Sequence, residues 1–337
     1  MGVGVLKPAL ANIVGQELAR KILFKAASGG KISQAYMFKG PAGVGKRTMA
    51  LAFAAFINCR DKGPDACGRC PSCKKFASNN HPDFMEIVPE GAAGIKIDQI
   101  RDLKSKLAFP SFEAAHRVIL LADIQNTIRR PEVANSLLKT LEEPPADTIF
   151  ILTVDEAAEV LATIASRCQV VPFYSLPLEF IRRRLEAEGL EPTAAAALSA
   201  ISGGSLGRAI APEGRELLAL RRQVVELLIY DLSGPLPLPE LFRLAETCAG
   251  LKDKLAYFFE LLGLWLRDLM LFAIPGQEHR MVNIDLVHLY QARREGWQLA
   301  ELSDKLQALS LARKQLRFNC DRRLVCEVLF LRLSALP

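Results

Sequence analysis

The chain has 337 residues, half of them apolar and 24% charged, with a formal net charge of +6 and eight cysteines. That length exceeds one ordinary core and fits two or three domains, while the composition excludes a disordered or low-complexity chain. The positive charge lies in short clusters at Arg129-Arg130, Arg182 to Arg184, Arg221-Arg222 and Arg322-Arg323, too dispersed to mark a nucleic-acid footprint by themselves.

In chain order, Met1 to Leu10 lacks the pattern of a secretory leader, and Leu6 stands where a myristoylation signal wants Ser or Thr. The longest apolar runs, such as Met49 to Ile57, are shorter than the roughly 20 residues that span a bilayer. A cytoplasmic protein is expected, and in a reducing compartment its cysteines read as metal ligands and buried thiols, not disulfides. From Ala35 to about Phe173, short β-rich runs alternate with helical patterns: Ala35 to Gly40 then Arg47 to Asn58, Phe84 to Val88 then Asp98 to Ala108, Val118 to Ala122 then Val133 to Leu141, Thr148 to Val154 then Ala157 to Ala165. This alternation predicts an α/β parallel sheet. Beyond Pro172 the periodicity is helical, punctuated by Gly203-Gly204, Pro212, the Gly234 to Pro239 segment and Pro275-Gly276. A small helical domain ending near Ala211 and an all-α domain to the C-terminus follow.

Gly40-Pro41-Ala42-Gly43-Val44-Gly45-Lys46 follows a predicted strand and opens a predicted helix. Its glycines let backbone N–H groups curl around phosphate oxygens, with Lys46 reaching toward the β- and γ-phosphates. A working loop next supplies Ser or Thr for Mg²⁺; here the residue is Arg47, which cannot ligate a cation, and Thr48 sits about 100° further round the helix. The strand that should end in paired acids, Val118 to Leu121, ends Ala122-Asp123, so at most one carboxylate survives. Asp123 reads equally as a strand-end turn or cap residue.

Cys59, Cys67, Cys70 and Cys73 fall within fifteen positions, three of them at C-x₂-C-x₂-C spacing. Four thiolates within reach of one point suit a tetrahedral structural zinc, with an iron–sulfur cluster or unligated thiols as alternatives. Ala77 stands where the bacterial ferredoxin run would need its fourth cysteine. Cys168, Cys248, Cys320 and Cys326 lie among apolar residues and are expected in or near the core. Phe112, His116 and the methionines are expected to pack.

With these features in place, the sequence resembles the delta-prime family of bacterial DNA polymerase III clamp-loader subunits, a branch of the AAA+ fold. The matching stretches are Val14 to Glu17, Gln34 to Phe38 running into the loop, the inserted cysteines, His81-Pro82-Asp83, Ile97 to Arg101, Ala134 to Pro145 and Ser166-Arg167-Cys168. Gly204 to Ala209 and Trp265 to Asp268 are looser matches.

The resemblance implies an AAA+ P-loop domain at 1–173 with a zinc-binding insert at 59–73, a helical lid at 174–211 and an all-helical oligomerisation collar at 212–337. It implies a stator in a hetero-pentamer with delta and the ATP-hydrolysing tau/gamma motor subunits, meeting the sliding clamp and primer-template DNA through the assembled complex at the replisome, with no membrane role. It also implies that Arg167 acts in trans as an arginine finger in a neighbour's ATP site, presented by Ser166 and Cys168. The degenerate nucleotide loop comprises Gly40, Gly43, Gly45, Lys46, Arg47 and Thr48; ATP binding stays open, but hydrolysis is not expected. Val154 falls at the polar sensor position and has no hydroxyl, and Arg208 reads as a helix-face cation ahead of a second sensor. The competing readings are an active tau/gamma-type motor, favoured by Lys46, and a zinc-containing nucleic-acid-binding module with a vestigial loop.

Overall fold

The computed structural model describes residues 9–61, 63–89, 94–128, 131–155, 162–230, 237–291, 298–318 and 320–334. The Arg129-Arg130 cluster, the first five residues of the helix expected from Ala157, residues 234–236 of the punctuating segment and residues 1–8 lie outside the described residues. The chain divides into two compact units, residues 1–177 with 205–207, and residues 178–204 with 208–337.

In the first unit the strands are β1 (Ala35–Lys39), β2 (Phe84–Ile87), β3 (Arg117–Leu121), β4 (Thr148–Val154) and β5 (Gln169–Pro172). They form one parallel sheet in the order β2-β3-β4-β1-β5. β3 and β4 are buried along their whole length, as expected of parallel strands covered on both faces, which is why they read as predominantly apolar runs, Val118 to Leu121 and Ile149 to Leu152. Successive side chains alternate between two cores. Tyr36, Phe38, Val118, Leu120, Ile149 and Ile151 face one, and Met37, Ile119, Leu121, Phe150 and Leu152 the other.

The helices of this part are α1 (Glu17–Ser28), α2 (Lys46–Ile57), α3 (Pro71–Ala77), α4 (Ile97–Leu107), α5 (Ile124–Thr127), α6 (Pro131–Glu142) and α7 (Ala162–Ala165). Residues of α1, α2 and α3 complete the first core, and those of α4 and α6 the second. The strand β5 was not among the four strands expected from sequence. It has only four residues, and Gln169 and Val170 are exposed, so neither an apolar run nor alternation marks it.

The remaining helices are α8 (Leu178–Ala187), α9 (Pro192–Ile201), α10 (Leu206–Ile210), α11 (Pro212–Tyr230), α12 (Leu238–Ala249), α13 (Leu255–Ala273), α14 (Val287–Gln291), α15 (Leu299–Arg317) and α16 (Arg322–Ser334). In the second unit α12, α15 and α16 pack together, α13 packs on α15, and no strand occurs among the described residues. Asp268 of the Trp265 to Asp268 stretch is fully buried in α13. One of its carboxylate oxygens accepts from the backbone N–H groups of Val282 and Asn283 and from Asn283 Nδ2, at 2.9, 2.6 and 2.7 Å. That carboxylate fixes the turn following α13.

Two expectations are corrected. Phe112 does not pack: it is 82% exposed, because its loop is held by backbone bonds and not by its ring. Cys320 is exposed next to the start of α16, whereas Cys248 and Cys326 are buried and Cys168 is half-buried. Among the described residues no helix is long and apolar enough to cross a membrane.

Candidate functional site

The phosphate loop leaves β1 beside the end of β4, since Lys39 pairs with Val154 and the Gly40 N–H donates to the Val154 carbonyl at 3.1 Å. It thus lies at the carboxyl edge of a parallel sheet, where such folds place ligands. Gly40 is there for a close approach: a Cβ on it would come within 2.2 Å of the Phe173 carbonyl oxygen. Gly45 caps α2 at φ 101°, a left-handed conformation that side chains rarely adopt. The backbone cradle is therefore built.

Its two cations are both engaged by the protein. Lys46, 6% exposed, donates to the carbonyls of Gly40 and Pro41, the latter at 2.9 Å, and forms an ion pair with Asp155 at 3.3 Å. Arg47 makes a two-point ion pair with Glu86 of β2, Nε to Oε1 at 2.7 Å and Nη2 to Oε2 at 2.6 Å. Those bonds raise the Arg47 pKa above its ordinary value. Thr48 is exposed one residue further along α2.

Two strands away, Asp123 follows β3 in a left-handed conformation, φ 49°. Its N–H donates to the Thr153 hydroxyl at 2.9 Å, so the hydroxyl that β4 does offer braces a strand end, while the next residue, Val154, is buried. Loss of water around the Asp123 carboxyl and the nearby Asp155 push its pKa up, against the pull of Lys46. Asp123, Asp155 and Lys46 thus share one electrostatic neighbourhood. Asp155, Glu86 and the Thr153 hydroxyl are missing from the sequence reading. No spacing rule points to a partner thirty or a hundred residues away.

The four cysteine sulfurs all lie within 4.8 Å of one another, with Cys67 and Cys73 at 4.0 Å. Ligands at about 2.3 Å from one tetrahedral ion would stand about 3.8 Å apart, so the cluster could hold a metal ion with little movement. The local chain explains the convergence. Gly68 turns at φ 69°, Pro71 starts α3, and the N–H groups of Cys67, Cys70 and Cys73 donate to the sulfurs of Cys59, Cys67 and Cys70 at 3.3 to 3.4 Å. Burial opposes ionisation of Cys70, but backbone N–H groups of Cys73 and Arg60 bring its thiol down to about 7.

Behind the cluster, His81 stacks on Phe76 of α3 at 4.1 Å between centroids and lies 3.3 Å from Ser72 Oγ. Asp83 accepts from the backbone N–H groups of Phe112, Glu113 and Ala114 at 2.7, 2.8 and 2.9 Å. Burial raises the Asp83 pKa, yet these three bonds outweigh it and hold the carboxyl below its ordinary range. The His81-Pro82-Asp83 stretch is therefore a brace. Gln16 acts likewise: its side-chain amide exchanges two hydrogen bonds with the Tyr174 backbone at 2.7 and 3.0 Å.

Arg167 follows α7. One terminal nitrogen donates to the Thr163 carbonyl at 2.7 Å, and the other pairs with Glu142 at the end of α6. In the second unit, Arg208 pairs with Glu260 at 3.1 Å and lies over the Tyr257 ring at 5.0 Å, which suits a helix-face cation.

A family model described as DNA polymerase III, delta subunit matches residues 15–177. The DNA polymerase III subunit delta' of Bacillus subtilis is 27% identical over 329 residues, covering 95% of this chain and 96% of that one. The delta' subunit of Pseudomonas aeruginosa is 38% identical over 202 residues, covering 58% of this chain and 60% of that one. The chain resembles the DNA polymerase III delta-prime family. It is also 28% identical to the tau subunit of Bacillus subtilis over 94% of its own length, but over only 60% of tau.

Proposed function

We propose that the chain is the stator of a DNA polymerase III clamp loader. It supports ATP-driven loading of the sliding clamp onto primed DNA without turning over ATP itself, and it supplies Arg167 in trans to a motor neighbour. The observation that carries this reading is the two-point pair between Arg47 and Glu86. It puts an ion-paired guanidinium at the position that offers Mg²⁺ a hydroxyl in a working loop. Ala122 and Val154 remove two further polar contacts, and Lys46 is already engaged by two carbonyls and Asp155. The reading requires absence of turnover, not absence of binding, because the Gly40, Gly43 and Gly45 cradle is retained.

The motor-type relatives supply the neighbour whose ATP Arg167 would meet, within a hetero-pentamer that also contains delta. A delocalised cation set where negative charge develops on the transferring phosphoryl group is worth about 10³ to 10⁵ in rate. The four cysteines hold a structural Zn²⁺, and their four sulfurs leave no open position for catalysis. The helices from 174 to 211 form the lid and those beyond 212 the collar, and the assembled protein works in the cytoplasm.

The test is reconstitution with tau-type motor and delta subunits, with clamp- and DNA-stimulated ATP turnover as the readout. Arg167→Ala is expected to lower turnover by at least about 10²-fold, and the isolated chain to show none. An unchanged rate with Arg167→Ala removes the trans role. Mg²⁺-dependent turnover by the isolated chain that Lys46→Ala abolishes makes it a motor.

A further inference from the structure

Arg167 is held before any partner arrives. Its Nη1 donates to the Thr163 carbonyl at 2.7 Å and lies 3.4 Å from Ser166 Oγ, while Nη2 pairs with Glu142 Oε1. Glu142 is the last residue of α6, and the buried face of that helix, Val133, Leu137 and Leu141, anchors it in the second core. A carboxylate at a helix C-terminus meets the negative end of the macrodipole, and an arginine opposite offsets that repulsion. The pair remains accessible, with Arg167 34% and Glu142 46% exposed. A guanidinium carries five N–H donors, so these three contacts among the described residues leave about two for another anion.

We propose that Glu142 is a positioning residue for Arg167: its carboxylate, fixed at the end of α6, grips one edge of the guanidinium and leaves the other edge for an anion presented by a neighbouring subunit. The inference rests on the trans role of Arg167 proposed above. Its physical basis is order. A long side chain already placed by a carboxylate and a carbonyl loses less rotamer freedom on docking, and it keeps the alignment on which a phosphoryl-transfer site depends. A pair that only closed the short helix α7 would act on stability and not on turnover.

The experiment uses the reconstituted loader and compares wild type with Glu142→Ala, Glu142→Gln, Arg167→Ala and the double variant Glu142→Ala/Arg167→Ala. Glu142→Ala is expected to lower kcat about tenfold with KM for ATP unchanged. Glu142→Gln, which keeps an oxygen acceptor at the same reach, should stay within about threefold of wild type. The double variant should be no slower than Arg167→Ala, because Glu142 acts only through the arginine. Thermal melting of each isolated chain verifies that the variants fold. A Glu142→Ala rate equal to or above wild type overturns the proposal, as does a double variant slower than Arg167→Ala. If Arg167→Ala itself leaves turnover unchanged, the trans role fails and takes the positioning role with it. If only Glu142→Ala is silent, the positioning role alone falls.

Discussion

The phosphate loop and the cysteine cluster sit on either side of α2, and they have kept opposite halves of their chemistry. At the loop the backbone is intact: Gly40 allows the close approach to Phe173 and Gly45 turns into α2, but Lys46 and Arg47 are paired off with Asp155 and Glu86. At the cluster the side chains are intact, four sulfurs within 4.8 Å, on a backbone whose own N–H groups point at three of them. A glycine cradle also serves as packing, so it persists without its reaction. Four converging sulfurs have no comparable use without a metal.

The largest expected effect tests the second half of that contrast. Metal analysis should find about one zinc per chain, and Cys70→Ser should lose it and lower the melting temperature by about 10 °C or more. A chain that melts unchanged after chelation would put the cluster in the same class as the loop, a frame without its ion.

A smaller effect is expected at the brace beneath the cluster. Asp83→Asn replaces one acceptor oxygen by an N–H₂ facing backbone donors, which should cost about 1–3 kcal/mol in urea unfolding. The pH dependence has a definite sign. Since the folded carboxyl titrates below its ordinary value, its contribution is fully present above about pH 4 and is lost as pH falls through the lowered pKa. Asp83→Asn should flatten that acid limb of the stability profile.

The smallest effect belongs to the loop. Arg47→Thr removes a half-exposed ion pair and should change stability by less than about 1 kcal/mol. It should not restore ATP turnover, because Ala122 and Val154 still lack the other polar groups. Turnover gained by this one change would mean that Arg47 alone silences the loop.

What could be read from sequence follows the same division. Thr148 to Val154 is legible residue for residue because a strand buried on both faces is mostly apolar and β-branched, and the cysteines are legible because their spacing is local. The partners that decide the loop's chemistry are not. Glu86 and Asp155 are ordinary surface acids until the sheet brings β2 beside β3 and β4 beside β1. Glu142 lies unmarked within the stretch Ala134 to Pro145, and the fold gives it Arg167, 25 positions away. Phe112 was misjudged for a related reason: an apolar side chain usually marks a core position, but here its backbone N–H is the part that is anchored.

The amide clip between Gln16 and Tyr174 has a consequence for the order in which the protein can be completed during synthesis. It joins residues 158 positions apart, and β5, which feeds Tyr174, pairs directly with β1. The cysteine insert closes at position 73, about a hundred residues earlier, which at about 5–20 residues per second is roughly 5–20 s of elongation. A nascent chain can therefore bring its four cysteines together well before its sheet is finished, while the Gln16 clip closes only once Tyr174 has left the ribosome.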